Sequence, residues 1–131
     1  MIVVDSSALV AILEHEIDAA VYAKAIELAE RLLISAVNVH ETGVVLRIRR
    51  GLSSLARLWL FLAENEFEIA AFDERQARLA LSAFGRYGKG IHPRARLNLA
   101  DCAAYALASS VSAPLLFKGD DFSATDIARC L

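Results

Sequence analysis

Apolar residues recur along the chain in two patterns: short runs rich in β-branched residues or leucine, and longer segments with helical spacing. The short runs predict strands at residues 2–4, 33–36, 67–72 and 114–117. The longer segments predict helices at residues 6–14, 17–32, 39–50, 53–64, 74–84 and 98–110, with a short helix near Ser123. Because strands and helices alternate, the pattern favours an α/β fold with helices on both faces of a parallel sheet.

The chain is rich in apolar residues. They make up 56% of its 131 residues, and the mean hydropathy is +0.43. The densest apolar run, LWLFLA at residues 58–63, is far shorter than the roughly 20 residues of a membrane-spanning helix. We see no basic leader, and Cys102 and Cys130 are too far apart for a C-x-x-C motif. We therefore expect one cytoplasmic domain, residues 1–131, whose surplus apolar surface is covered in a homodimer or by a protein partner.

The formal net charge of −2 does not by itself indicate a nucleic-acid-binding protein. Basic residues nevertheless cluster twice, as Arg47, Arg49 and Arg50 and as Arg86, Lys89, Arg94 and Arg96. The second cluster lies in the glycine-rich segment GRYGKGIHPRAR, which predicts a loop at residues 85–96. A solvated surface explains either cluster unless another feature gives it a function.

Acidic residues lie after several predicted strands or early in the helices that follow: Asp5, Glu41, Asp101, Asp120 and Asp121. The carboxyl ends of parallel strands meet at one edge of a sheet, where functional sites form. Each acid also has a structural interpretation. Asp5 fits a helix cap, although Ser6 or Ser7 can start that helix, and Asp101 fits the reciprocal partner of an Asn98 cap. The two acids after Gly119 fit a turn.

Among these acids, Glu41 is the one that a purely structural role explains least well. Its spacing from Val37, Val44 and Val45 predicts a position on an apolar helix face. A buried carboxylate is costly unless it is paired, protonated or metal-bound. Because Arg47 is not three or four residues away, we expect Glu41 to need a cation from elsewhere.

Several carboxylates without a His or Cys cluster suit Mg²⁺ or Mn²⁺ rather than zinc. Such an ion relieves the repulsion among the acids and activates water to attack a phosphodiester. A covalent route has no support, because Ser6 and Ser7 lack a plausible His–Asp arrangement. One alternative is a phosphoacceptor receiver-like domain, with Asp73 after the third strand and Lys118 near the last. The other is a catalytically silent interaction module.

Four stretches in this order resemble PIN-domain ribonucleases, and within them the VapC toxins of bacterial toxin–antitoxin pairs: IVVDSSALVAIL, SAVNVHETGVVL, YGKGIHPRARLNLADCAAYALA and PLLFKGDDFSATDI. The resemblance implies a PIN-like three-layer α/β/α sandwich with a small, mostly parallel sheet. It also implies Mg²⁺- or Mn²⁺-dependent endonucleolytic cleavage of RNA and a VapB-like antitoxin. On this resemblance Asp5, Glu41 and Asp101 match the family's metal-binding acids, with Asp120 or Asp121 as the fourth. We expect Asp5 and Asp101 to hold the principal ion.

Positive charge must surround such an acidic site if it is to bind RNA. The candidates are Arg86, Lys89, Arg94, Arg96 and Lys118, while Ser7 is a candidate for a hydrogen bond to a metal ligand or bound water. The apolar segment at residues 53–65, together with the helix carrying Arg47, is expected to form a dimer or antitoxin surface.

Overall fold

The computed structural model describes residues 1–131 and contains six helices and four strands. In chain order these are β1 (Ile2–Val4), α1 (Ser6–Leu13), α2 (Ala19–Leu28), β2 (Leu32–Ser35), α3 (Ala36–Arg50), α4 (Ser54–Glu64), β3 (Glu68–Ala70), α5 (Glu74–Tyr87), α6 (Leu99–Ser110) and β4 (Leu115–Leu116). None of the helices has the length and apolar character needed to span a membrane.

The strands form one sheet in the order β3-β2-β1-β4, and every pairing is parallel. Val3 of β1 lies opposite Leu33 of β2 on one side and Leu115 of β4 on the other. Because all the strands run in one direction, their carboxyl ends meet at one edge of the sheet. The residues that follow β1, β2 and β4 are therefore brought to that edge.

Alternate strand residues face two different layers of helices. Val4 and Ile34 belong to a core shared with residues of α1 to α4. Val3 and Leu33 belong to a second core, shared with residues of α5 and α6. Side chains of a strand alternate between its faces, so a sheet covered on both faces needs strands that are apolar throughout. The predicted three-layer α/β/α sandwich is confirmed, and its sheet is entirely parallel.

Element boundaries differ from the predictions where helical and strand patterns overlap. The helix predicted at residues 17–32 is shorter, Ala19–Leu28, because Leu32 belongs to β2. α3 begins at Ala36 rather than near Val39, since the Ser35 side chain accepts a hydrogen bond from the backbone N–H of Val37. α5 continues to Tyr87, three residues into the predicted loop.

The predicted short helix near Ser123 is wrong. Residues 120–125 form consecutive turns, in which Ser123 N–H donates to the carbonyl of Asp120 and Thr125 N–H donates to that of Phe122. Phe122 is buried in the second core and packs against Phe117. The segment is therefore held by an aromatic contact and turn hydrogen bonds rather than by a helix.

Candidate active site

Asp5 directly follows β1 and is itself the N-cap of α1. Its Oδ2 accepts hydrogen bonds from the Ser7 backbone N–H at 3.0 Å and from the Ser7 hydroxyl at 2.6 Å. Asp5, and not Ser6 or Ser7, is therefore the cap of this helix, which begins at Ser6. The Asp5 side chain reaches its position because the strand ends in extended backbone, which turns the residue toward the first amides of the helix. The carboxylate is buried there, with 3% of the residue exposed.

Asp101 lies in the first turn of α6 and takes part in a capping box with Asn98. The Asn98 side chain accepts from Asp101 N–H at 2.9 Å, and Oδ2 of Asp101 accepts from Asn98 N–H at 3.0 Å. The reciprocal cap predicted from sequence is confirmed. The capping hydrogen bonds use only one oxygen of Asp101, so the other remains free to bind a ligand.

Asn38, which the sequence analysis missed, joins the segments that carry these two acids. Its Nδ2 lies 3.4 Å from Asp5 Oδ1, 3.0 Å from Ser6 Oγ and 3.1 Å from the carbonyl oxygen of Ala100. Asn38 is fully buried in α3, three residues before Glu41. The only signal in the sequence is an amide within the otherwise apolar stretch AVNV.

Burial and neighbouring negative charge raise the pKa values of Asp5 and Asp101. Burial, the largest cause, raises the pKa of Asp5 to about 6 and that of Asp101 to about 7. The negative charge of Glu41 contributes to both increases, and those of Asp5 and Asp121 contribute at Asp101. The four acids therefore share one electrostatic environment at the edge of the sheet.

Glu41 contributes its charge to this environment but does not lie on the buried face of its helix. The buried residues of α3 are Asn38, Val39, Thr42, Gly43 and Leu46. Glu41 is half-buried, and Val44, expected to share a buried face with it, is 44% exposed. The predicted buried position of Glu41 is wrong. The helix buries the face that carries the polar residues Asn38 and Thr42, and not the face that carries Glu41. Partial exposure lets water solvate the carboxylate, so its burial does not by itself require a cation.

Of the two acids after Gly119, the structure favours Asp121 as the fourth member. Gly119 has a φ of 95°, a left-handed conformation that glycine adopts without strain. Both acids that follow it are exposed, and the charge of Asp121 contributes to the raised pKa of Asp101. The carbonyl of Asp120 closes the next turn by accepting from Ser123 N–H.

The donor set suits a hard divalent cation. All the candidate ligand atoms are carboxylate oxygens, and none of the five acids forms a salt bridge with a basic side chain. No group of three His, Cys, Asp or Glu side chains is placed to hold a metal ion together. Any ion held by these acids would therefore have to complete its coordination with water, as Mg²⁺ commonly does.

Two of the predicted RNA contacts are engaged elsewhere. Lys118 Nζ pairs with Glu16 and, at 2.9 Å, with Asp18. Arg86 pairs with Asp126 at 3.2 Å. These pairs satisfy both cations within the protein, so the structure does not favour the assignment of Lys118 and Arg86 to RNA binding.

The remaining basic residues of the glycine-rich loop, Lys89, Arg94 and Arg96, are exposed and form no salt bridge. The loop has a fixed turn, because His92 Nδ1 accepts from the backbone N–H groups of Arg94 and Ala95 at 3.0 and 2.8 Å. It leads directly into Asn98 and the start of α6. Free positive charge is thus placed next to Asp101 along the chain.

An apolar groove of about 470 Å³ lies between α3 and α4. Its lining includes Val39, Val44, Ile48 and Trp59, with Arg47 among the polar members. Trp59 is 55% exposed. The groove thus combines the two helices that the sequence predicted to contribute to a protein–protein surface.

Comparisons with known proteins agree on one family. A family model described as the PIN domain matches residues 2–128. Ribonuclease VapC28 of Mycobacterium tuberculosis is 43% identical over 129 residues, which cover 98% of this chain and 97% of that protein.

Solved structures with lower identity share the fold. The crystal structure of VapC20 from M. tuberculosis, described as a sarcin–ricin loop cleaving toxin, has a TM-score of 0.81 at 15% identity and covers 98% of this chain and 97% of its own. A toxin–antitoxin complex from Klebsiella pneumoniae contains a chain with a TM-score of 0.74 at 17% identity, covering 96% and 93%.

Proposed function

The chain belongs to the PIN-domain family and, within it, to the VapC ribonucleases, and from this premise we propose that it is the toxin of a toxin–antitoxin pair and a metal-dependent endoribonuclease. The observation that carries the proposal is the pair Asp5 and Asp101. Both are buried at the carboxyl edge of the sheet, the charge of Asp5 raises the pKa of Asp101, and neither acid forms a salt bridge with a basic side chain. Buried carboxylates without a cation are expensive, and a divalent ion relieves that cost.

Asp5 and Asp101 would hold Mg²⁺ or Mn²⁺, and Glu41 and Asp121 would act through its water ligands. When bound, such an ion lowers the pKa of water and neutralises charge on the phosphate. Because Asp5 and Asp101 would bind the ion as carboxylates, ion binding would release the protons that their raised pKa values retain. Metal affinity consequently increases with pH across the range in which these two acids titrate.

The protein's own residues prepare the hydrolysis. Ser7 orients Asp5 by donating both its N–H and its hydroxyl to one oxygen, which leaves Oδ1 directed toward Asn38. Glu41 or Asp121 accepts a proton from the attacking water, whose oxygen forms a new bond to phosphorus. The bond from phosphorus to the leaving ester oxygen breaks in line with the attack, and that oxygen takes up a proton from solvent water.

The exposed loop cations Lys89, Arg94 and Arg96 would bind RNA phosphates beside the acids. They are unpaired, and they lie on the segment that enters α6. Phosphate contacts position a nucleic acid without reading its sequence. This proposal therefore assigns the loop to binding and orientation rather than to base recognition.

The groove between α3 and α4, with the exposed face of α4, would be covered by an antitoxin or by a second copy of the chain. The fold neighbour from K. pneumoniae comes from a toxin–antitoxin complex. An apolar groove beside an exposed tryptophan is a common recognition surface for a partner segment. Light scattering that gives a monomer both alone and with the antitoxin would contradict this assignment.

The receiver-like alternative does not survive the comparison, since the PIN-domain model covers residues 2–128. Asp73, the acid on which that alternative depended, caps α5 by accepting from Gln76 N–H at 2.9 Å. Lys118 is paired with Glu16 and Asp18. A catalytically silent module remains the competing hypothesis, and activity measurements separate the two.

Cleavage of RNA by antitoxin-free protein tests the proposal. We expect cleavage with Mg²⁺ or Mn²⁺, none with EDTA, and strong loss in Asp5→Asn and Asp101→Asn. Glu27→Gln, which neutralises an exposed acid on α2, is the matched control and should cleave like the wild type. Wild-type protein that cuts no RNA with either ion would refute the nuclease proposal and favour the silent module.

A further inference from the structure

The side chain of Asn38 is completely buried and contacts two segments far from it in sequence. Its Nδ2 reaches Ser6 Oγ and Asp5 Oδ1 at the end of β1 and the start of α1, and the carbonyl of Ala100 in the first turn of α6. The Ser6 hydroxyl also donates a hydrogen bond to the main-chain carbonyl oxygen of Asn38 at 3.3 Å. One amide thus connects three helices at the edge of the sheet.

The chemistry of these neighbours fixes which way the amide points. The carbonyl of Ala100 and a carboxylate of Asp5 can only accept hydrogen bonds, so the nitrogen must face them. Oδ1 of Asn38 is buried with no hydrogen-bond partner. The site therefore uses the NH₂ group of the amide and leaves its oxygen unsatisfied. An apolar side chain of similar size would fill the same space without this cost, so filling the core does not explain the amide.

The three connected segments are those that carry the candidate metal ligands. Asp5 receives the amide directly, Ala100 is the residue before Asp101, and Glu41 lies three residues after Asn38 on α3. Asp5 and Asp101 repel each other when both are ionised. A neutral donor between their segments holds them at a fixed separation without adding charge.

We propose that Asn38 is a positioning residue, which sets the separation of Asp5 and Asp101 by tying the starts of α1 and α6 to α3 through its Nδ2. The proposal rests on the proposed function, since it concerns the same two acids. Asn38 touches neither RNA nor the reacting atoms and acts through the ligands it holds. Residues that orient metal ligands in this way typically change metal affinity or activity by about 10- to 100-fold.

Two variants and one control isolate this role. Asn38→Asp keeps the size of the side chain but places carboxylate oxygens against the Ala100 carbonyl and Asp5. Asn38→Ala removes the amide and carries the test if Asn38→Asp does not fold. Thr42→Val is the control, because Thr42 is equally buried one turn later. Its hydroxyl donates only to the main-chain carbonyl of Asn38, at 2.8 Å.

Three readouts on full-length protein separate positioning from general destabilisation. Mn²⁺ titration calorimetry should show affinity about 10- to 100-fold weaker in the Asn38 variants and unchanged in Thr42→Val. RNA cleavage should show a lower kcat with KM for RNA unchanged. Hydrogen exchange without metal should be faster at the amides of Asp101 and Cys102 in Asn38→Ala than in the wild type or in Thr42→Val.

Folded Asn38 variants with wild-type Mn²⁺ affinity and wild-type exchange at Asp101 would overturn the proposal, as would an equal loss in Thr42→Val. Failure of the proposed function gives a different result, in which the wild type itself neither binds Mn²⁺ nor cleaves RNA. In that case hydrogen exchange without metal still tests whether Asn38 positions the segment that carries Asp101. Faster exchange at the amides of Asp101 and Cys102 in Asn38→Ala alone supports this role, and equal exchange overturns it.

Discussion

The Ser7 hydroxyl lies 2.6 Å from Oδ2 of Asp5 and also accepts a hydrogen bond from the backbone N–H of Lys118 at 2.9 Å. It therefore links the acid after β1 to the segment that follows β4. Because Ser7 donates to the ionised carboxylate, it opposes the increase in pKa that burial causes at Asp5. Ser7 therefore favours the charged form of Asp5, which is the form that a metal ion needs.

Ser7→Ala should therefore raise the pKa of Asp5 further. We expect cleavage to fall more strongly near neutral pH than at higher pH, and the free energy of unfolding to drop by about 1–3 kcal/mol as Lys118 N–H loses its partner. The pH–rate profile and denaturant unfolding check both effects. Ser82→Ala, at an exposed position on α5, is the control. Superimposable profiles for Ser7→Ala and the wild type would contradict this role.

The metal-free protein should lose stability as pH rises. Asp5 and Asp101 have pKa values of about 6 and about 7 in the folded protein, above the ordinary value of 3.8. The folded state therefore holds extra protons between about pH 4 and pH 7, and the free energy of unfolding falls as pH rises through that window, by roughly 1.4 kcal/mol for each unit of pKa difference at most.

Thermal unfolding in EDTA between pH 4.5 and 7.5 measures this effect. Because other groups also titrate, the readout is the difference in pH slope between the wild type and the Asp5→Asn/Asp101→Asn double variant. The stability of the wild type should fall more steeply with pH than that of the variant. Saturating Mg²⁺ in place of EDTA should make this fall less steep. Equal slopes would show that the two carboxyls are not buried as described.

The two neighbouring acids after β4 should differ in function. Asp121 contributes to the raised pKa of Asp101, whereas the backbone of Asp120 closes a turn. We expect Asp121→Asn to reduce RNA cleavage by about tenfold or more, the range typical for groups that assist metal ligands. Asp120→Asn is the matched variant and should retain activity. The reverse ranking of the two initial rates would contradict the assignment of Asp121.

The glycine-rich loop should govern RNA binding through charge. Arg94→Ala combined with Arg96→Ala should raise KM and weaken its salt dependence, with a decrease of about 0.7 in the log–log slope for each RNA phosphate that the variant no longer neutralises. Cleavage at several salt concentrations measures this slope. Arg78→Ala, which removes an exposed cation paired with Glu74 on α5, is the control and should leave the slope unchanged. An unchanged slope in the loop variant would contradict the role of the loop.

Much of the fold could be predicted from sequence because its signals are local. Val3 and Val4 face different cores, and a strand covered on both faces appears as an uninterrupted apolar run. The capping relationship between Asn98 and Asp101 spans only three residues. Signals of this kind depend on spacing, which the sequence shows directly.

Sequence patterns predict the site less well where polar residues occupy buried positions or where partners are distant along the chain. The valines around Glu41 predict a buried face there, whereas the buried stripe of α3 contains Asn38 and Thr42. Lys118 pairs with Asp18, which is 100 residues away in sequence. No periodicity encodes such pairings, since they depend on how the completed sheet brings the segments together.

The proposed function depends above all on Asp5 and Asp101 jointly holding a divalent cation. Anomalous diffraction from crystals of antitoxin-free protein soaked in Mn²⁺ tests this most directly. We predict a manganese peak in contact with one oxygen of each carboxylate, and no such peak in Asp101→Asn. Manganese bound elsewhere in the crystal, with no peak at these two acids, would contradict the claim.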